Sequence, residues 1–240
     1  MINYKKIEDI PNEEALLKEA KWLEGKTLNQ IHKSIKTSDE ESRVTTKGNV
    51  GYLIEKGFFG INMNSSALPD INHLGIEIKT CPLKYLSDNK TLRVKEPLSL
   101  NIINYSKEAL CNDITESELY KKNKKILFIF YIHLKSKSRS EYTIKYVFLW
   151  EMDNKVLNEL RPDYNLIISK IKEGRAHDIH QGQHEYLTIC PKHNGKFKDP
   201  NCNKSKTVQP FSNQPAEIRA FRLKNKYVNK IIERHIQKKL

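Results

Sequence analysis

Two carboxylates and an ammonium lie close together in one short stretch of the chain. Asp70 follows Pro69, and Glu77 and Lys79 stand in Gly75-Ile76-Glu77-Ile78-Lys79. Glu77 and Lys79 are two apart, so on a strand both project from one face, and Asp70 arrives from the preceding turn. Such a set suits Mg2+, a hard cation that takes carboxylate oxygens together with waters and substrate phosphate oxygens; Mn2+ is the expected substitute. The ion would ease ionisation of a bound water and offset charge on a scissile phosphate. Lys79 would orient or deprotonate that water and stabilise the developing negative charge. The same residues also fit a solvent-facing strand on which Glu77 and Lys79 merely lie side by side. Three features favour the chemical reading. Glu55 lies in a helix just before and offers a third carboxylate. Asn64, Ser65 and Ser66 form a polar loop able to approach a phosphate. A formal net charge of +13 gives a reason for a polyanionic substrate.

Gly75–Thr80 has the period of a half-buried strand, with Ile76 and Ile78 alternating against Glu77 and Lys79. Before it, residues 13–24 read as an amphipathic helix with Leu16, Ala20 and Leu23 on one stripe and Gly25 at its stop. Thr37–Gly48 reads as a polar loop. Residues 49–59 read as a short helix with Tyr52, Leu53 and Ile54 against a core, and 62–70 as a turn. Further strands are expected at 98–105, 125–132 and 142–150. A helix follows over 153–173, interrupted or begun near Pro162 and closed by Gly174. Residues 174–215 read as irregular apart from a strand at 185–190, and 224–238 as a basic amphipathic helix with Tyr227, Ile231 and Ile232 on its apolar stripe. Strands flanked by helices predict an α/β or α+β fold on a mixed central sheet.

The length of 240 residues fits one large domain or two small lobes. Eleven Tyr, eight Phe and two Trp argue against disorder. The excess of 42 basic over 29 acidic residues favours a polyanionic partner, although solvated surface lysines would produce it too. No apolar run approaches the ~18–20 residues of a membrane span, and the N-terminus lacks the apolar core of a secretory signal. No membrane partner is expected. Cys81, Cys111, Cys190 and Cys202 form no CxxC pair, which fits a reducing, cytoplasmic setting. Cys190 and His193 at CxxH spacing lack a second pair. His180 and His184 have zincin spacing, but Gln181 stands where that motif needs Glu.

KGNVGYLIEKGFFG (47–60), ALPD (67–70) and HLGIEIKTCPLK (73–84) together resemble the MutH and GATC-cutting type II restriction endonuclease family, a branch of the PD-(D/E)xK nucleases. LEGKTLNQI (23–31), LSLNIINY (98–105), KEGRAHDIHQGQHEYLTICPK (172–192) and NQPAEIRAFRLKNKYVNKII (213–232) resemble further segments of the family in the same order.

The resemblance implies a restriction-endonuclease-like fold, one MutH-like domain over 1–240, with a catalytic lobe near 1–110 and a recognition lobe near 111–240 clamping double-stranded DNA between them. Asp70, Glu77 and Lys79 match the catalytic set. Glu55 matches a helix carboxylate near the metal, which Asp70, Glu77 and Glu55 would hold. A lysine at or before the 125–132 strand matches an active-site basic residue; Lys122 is the choice, with Lys121, Lys124 and Lys125 as neighbours in register. DNA recognition falls on Cys190, Pro191 and Lys192 and on Arg222 and Lys224. Lys192 could donate to guanine O6 and N7, and Pro191 could pack on a base edge; Lys192 touching only phosphate is the alternative. In the mismatch-repair member a tyrosine that helps read adenine methylation matches Arg222, so Arg222 leans toward a restriction enzyme. A basic insert, His193–Thr207, is expected to grip the DNA backbone. The implied function is Mg2+-dependent hydrolysis of DNA, most simply at 5′-GATC-3′. Strand nicking in mismatch repair and a catalytically silent DNA-binding module are the alternatives. Cutting both strands calls for a homodimer on DNA or a second MutH-like domain.

Overall fold

The computed structural model describes residues 7–35, 49–61, 67–192 and 206–238. The expected loops at 37–48 and at Asn64, Ser65 and Ser66, and most of the insert from His193, lie outside the described residues. The chain forms two compact units. The first comprises Met1–Glu96 and Lys125–Glu151, the second Pro97–Lys124 and Met152–Leu240. The chain thus passes between units at 96/97, 124/125 and 151/152, where the sequence suggested a single cut near 110. Local patterning cannot show that 125–151 returns to the first unit, because strand partners are chosen by long-range hydrogen bonds.

In the first unit α1 (Glu13–Lys21) starts at Asn12, whose side chain accepts from the Ala15 N–H at 2.9 Å. Leu16, Ala20 and Leu23 are buried as their spacing predicts. Helix α2 (Leu28–Ile35) is an element the apolar pattern alone did not mark. Its start is a reciprocal cap: Thr27 N–H donates to Gln30 Oε1 at 2.9 Å, and Gln30 N–H to Thr27 Oγ1 at 3.2 Å. Helix α3 (Asn49–Tyr52) continues as a π-helical turn over Leu53–Phe58. The central sheet has the order β2-β1-β4-β5, built from β1 (Ile76–Tyr85), β2 (Leu92–Val94), β4 (Lys125–Ile132) and β5 (Thr143–Glu151). β1 and β4 are parallel; the other pairs are antiparallel. β1 runs five residues beyond the expected Thr80 because pairing with β4 continues to Leu83↔Ile132 and β2 pairs with Lys84 and Tyr85. Ile76, Ile78, Leu127, Ile129, Ile144 and Val147 join Leu16, Leu23 and Ile54 in one apolar core. β4 is apolar on both faces, as a central strand buried on both sides requires.

The second unit holds β3 (Leu98–Ile102), α4 (Tyr105–Glu108), α5 (Glu118–Asn123), α6 (Asn154–Lys172), β6 (Leu187–Pro191), the hairpin β7 (Lys206–Gln209) and β8 (Ser212–Glu217), β9 (Arg219–Leu223) and α7 (Asn225–Gln237). An antiparallel sheet of order β3-β9-β6 has β9 at its centre. The hairpin and β9 fall where the sequence suggested irregular chain and part of a C-terminal segment, and the expected strand at 98–105 gives way to helix at Tyr105. Tyr164 on α6 meets Phe221 on β9 with ring centroids 6.1 Å apart. Helix α6 ends as Gly174 suggests, at φ +69, with Arg175 N–H returning to Lys170 O at 2.8 Å. On α7, Tyr227, Val228, Ile231 and Ile232 are buried, the stripe read from sequence. No helix among the described residues is long and apolar enough to cross a membrane.

Candidate active site and recognition sheet

Between Asp70 and Glu77 the chain makes a tight return. Ile71 and Ile76 exchange hydrogen bonds, N–H to O at 2.8 and 3.1 Å. The turn Asn72–Leu74 closes on Gly75 at φ +66, a left-handed position that glycine takes without a Cβ penalty. His73 Nε2 lies 2.9 Å from the Ile10 carbonyl and pins this turn to the N-terminal segment. The return places Asp70 alongside β1. Its Oδ2 accepts from the Ile78 N–H at 2.9 Å, so a side chain extends the ladder that Ile71 and Ile76 began. Its own N–H donates to Glu77 Oε2 at 3.2 Å.

Glu77 is 2% exposed, an unusual place for a carboxylate unless it is partnered. Lys79 Nζ donates to Glu77 Oε1 at 2.5 Å. An ammonium and an amide thus satisfy the two oxygens of Glu77, which is how a buried charge is tolerated. Asp70, Glu77 and Lys79 therefore converge as the sequence spacing predicts. The strand neighbours of Glu77 and Lys79 are Ile126 and Phe128. Phe128 packs on Phe130, Phe148 and Trp150, with centroids 5.3, 5.8 and 5.8 Å away. This apolar surround lowers the local dielectric and strengthens the Lys79–Glu77 interaction. Cys81 lies on the same strand, and burial pushes its thiol up to about 12, which keeps it from acting as a thiolate.

The other expected site residues are placed separately. Glu55 lies in the π-helical turn, and its backbone carbonyl accepts from Ile61 at 2.8 Å. A Cβ built on Gly51 would come 3.3 Å from Glu55 Oε1 and 3.6 Å from Thr80 Oγ1, so Glu55 and Thr80 border the same glycine. Thr80 alternates away from the face that carries Glu77 and Lys79. Among the described residues no three His, Cys, Asp or Glu side chains form a group that could hold a metal ion, so the expected Asp70–Glu77–Glu55 triad is not assembled. Two carboxylates remain side by side, and their hard oxygens fit Mg2+, which commonly takes one or two protein carboxylates. Lys122 lies on α5 in the second unit. Its neighbour Lys124 stands over the Tyr120 ring at 5.7 Å, and Lys125, at the start of β4, pairs with Glu13.

In the second unit β6 carries two of the expected recognition residues, Cys190 and Pro191, and Lys192 follows it. Pro191 and Lys192 are exposed at its end, and Lys192 N–H donates to Ile218 O at 2.8 Å. Cys190 is buried, its Sγ 3.9 Å from Ser99 Oγ, so its side chain points into protein. Arg222 pairs in register with Ser99 on β3 and Thr188 on β6, which places the three on one face of the sheet, and its Nε is buried without a hydrogen-bond partner among the described residues. Lys224, expected at the DNA, donates its ammonium to the His184 carbonyl instead. The histidines have separate partners: His184 Nδ1 is 3.2 Å from Thr188 Oγ1, and His177 Nδ1 is 2.9 Å from Gln209 Nε2. His193 lies outside the described residues.

Sequence reasoning missed Asp163, a buried carboxylate on α6. Its signal was present: 163 falls on the stripe of Leu160, Tyr164, Ile167 and Ile171, where an acid is out of place unless it has partners. It missed Glu159 as well, which accepts from Tyr227, Lys230 and Arg234 on α7.

A family model described as DNA mismatch repair enzyme MutH matches residues 59–163. The type II restriction enzyme Sau3AI of Staphylococcus aureus is 34% identical over 198 residues, 82% of this chain and 38% of that enzyme. The DNA mismatch repair protein MutH of Actinobacillus pleuropneumoniae serotype 3 (strain JL03) is 30% identical over 185 residues, covering 75% of this chain and 77% of that protein. MutH of Escherichia coli (strain K12) is 26% identical over 182 residues, covering 75% and 76%. The chain thus spans well under half the length of the restriction enzyme.

Proposed function

The chain belongs to the MutH family, and from that premise we propose that it is a site-specific endonuclease that hydrolyses double-stranded DNA, at 5′-GATC-3′, in a restriction–modification setting in the cytoplasm. The observation that carries the reading is the convergence of Asp70, Glu77 and Lys79 at the start of β1. In this reading the first unit is the catalytic lobe and the second reads the DNA.

Asp70 and Glu77 would hold Mg2+, or Mn2+ in its place. The metal would supply Lewis acidity, neutralising charge at the phosphate and easing ionisation of the attacking water. Lys79 orients that water for in-line attack and stabilises the charge that builds on the phosphate oxygens. Asp70 is held by its bond to the Ile78 N–H, so one of its oxygens keeps its orientation through the reaction. The products carry 5′-phosphate and 3′-hydroxyl ends. Lys122 adds positive charge that suits a DNA backbone, and Pro191, Lys192 and Arg222 contact the bases or backbone. A second copy, or a second MutH-like domain, supplies the other cut. The test is a GATC plasmid with Mg2+: wild type linearises it, and Glu77→Ala and Lys79→Ala do not. Cutting by both variants at the wild-type rate would end the assignment.

The extent of the match to MutH proteins favours a second reading, nicking of one strand. A hemimethylated duplex separates the two. Cleavage confined to the unmethylated strand supports nicking, and cleavage of both strands of unmethylated DNA supports restriction. Tight GATC binding without cleavage in Mg2+ or Mn2+ would instead mark a silent DNA-binding module.

A further inference from the structure

Asp163 lies in the middle of α6 and is 6% exposed. Its carboxylate has no cation bonded to it among the hydrogen bonds of the described residues; it accepts three consecutive backbone amides. Glu185 N–H donates to Oδ1 at 2.7 Å, and Tyr186 and Leu187 N–H donate to Oδ2 at 2.6 and 2.9 Å. The same segment is held from its carbonyl side by Lys224. The ammonium of Lys224 donates to the His184 carbonyl, and its backbone N–H donates to Tyr186 O at 2.8 Å. His184, 4% exposed, closes the inside of the turn on Thr188 Oγ1 at 3.2 Å. Residues 184–187 are thus clamped on the amide side by a helix and on the carbonyl side by the residue that joins β9 to α7.

β6 begins at this clamp and ends at Pro191, with Lys192 beyond. A strand advances about 3.3 Å per residue, and a slip of one residue turns every side chain to the opposite face. We propose that Asp163 and Lys224 are positioning residues for sequence recognition: they fix the register and direction of β6 so that Pro191 and Lys192 meet the bases. This rests on the DNA-reading role given above to the second unit. It also removes Lys224 from the set of DNA contacts. A cation that bonds a backbone carbonyl inside the protein acts on specificity, whereas a phosphate contact acts on affinity for any sequence.

Salt dependence distinguishes the two. Each neutralised phosphate contributes about −0.9 to the slope of log K against log salt. Binding of wild type, Asp163→Asn, Lys224→Met and Lys224→Arg is measured on a GATC duplex and on a scrambled duplex of equal length. Ca2+ replaces Mg2+ so that binding is read without cleavage, and each variant's thermal midpoint is recorded. The proposal expects the GATC-to-scrambled affinity ratio to fall about tenfold or more in Asp163→Asn and Lys224→Met. The salt slope stays at the wild-type value, and Lys224→Arg, which can still reach the carbonyl, recovers most of the ratio. Equal weakening on both duplexes with a slope reduced by about one would show a phosphate contact and overturn the proposal. So would a wild-type ratio in folded Lys224→Met, which carries the test if Asp163→Asn does not fold. If wild type prefers the duplex bearing a site recovered from sequenced digest ends rather than GATC, the assigned site fails and the ratio is read on that duplex. If wild type prefers no duplex, the recognition reading fails and this proposal fails with it.

Discussion

Lys79 reaches back two residues along β1 to place its ammonium 2.5 Å from the Oε1 of Glu77, a carboxylate that is otherwise shut away from solvent. One contact therefore has two consequences, one for stability and one for chemistry.

Removing Lys79 takes the ammonium partner away from a buried carboxylate, and breaking a buried pair from one side costs about 3–5 kcal/mol. Lys79→Ala is expected to lose about 3 kcal/mol in urea unfolding. Glu77→Gln/Lys79→Ala is expected to be more stable than Lys79→Ala, since the stranded charge is gone. DNA cleavage falls by ~10²–10³-fold or more in both. A double variant no more stable than Lys79→Ala would show that the pair is not energetically coupled.

Gly174 ends α6 at φ +69, and a Cβ there would meet Phe211 O at 2.4 Å. That neighbour is backbone and cannot swing aside. Gly174→Ala is expected to cost about 2–4 kcal/mol, from left-handed strain plus displacement of the β7–β8 turn. Thermal denaturation checks this; an unchanged midpoint would contradict the geometry.

Arg234 holds the Glu159 carboxyl down to about 2, with Lys230 and Tyr227 adding to the effect. A depressed carboxylate adds stability that is present above its unfolded pKa and is lost as pH falls through the folded value. The loss therefore runs from the ordinary value of 4.5 down to about 2. Over that window wild type should lose stability faster than Glu159→Gln, and the two should change in parallel above it. Urea unfolding at stepped pH is the measurement.

Glu108 is the opposite case. Burial raises its pKa above the ordinary 4.5, although the Tyr164 hydroxyl and the Glu118 amide donate to it at 2.9 and 3.2 Å. A raised carboxyl contributes stability that is fully present below its unfolded pKa and is lost as pH rises through the folded one. Glu108→Gln keeps one oxygen to accept from the Glu118 amide, turns its NH2 to donate to the Tyr164 hydroxyl, and carries no charge. It should equal or exceed wild-type stability at neutral pH and lose that advantage in acid.

Lys192 is exposed, and its backbone N–H is held by the Ile218 carbonyl. If it reads guanine, Lys192→Ala should cost about 1–3 kcal/mol of discrimination against a changed GATC base pair. Uniform weakening on every sequence would make it a phosphate contact instead.

Much of the candidate site is legible in the chain alone, because it is local. Asp70 and Glu77 are joined by a short return that Gly75 permits, and strand alternation puts Lys79 beside Glu77. The Leu16-Ala20-Leu23 stripe, the stop at Gly174 and the buried face of α7 follow from periodicity for the same reason. What the tertiary structure decided depends on partners far away in sequence. β9 is a strand because β3 and β6 flank it, and 125–151 belongs to the first unit because β4 lies parallel to β1. Asp163 is tolerated inside α6 only because amides 22–24 residues later turn toward it. Glu55 shows the limit from the other side: its spacing suggested a third ligand, but a side chain's neighbours are set by the element that carries it, and the π-helical turn sets Glu55 beside Gly51. Periodicity encodes which face of an element is apolar; which backbone groups will meet that face is settled only when the chain closes on itself.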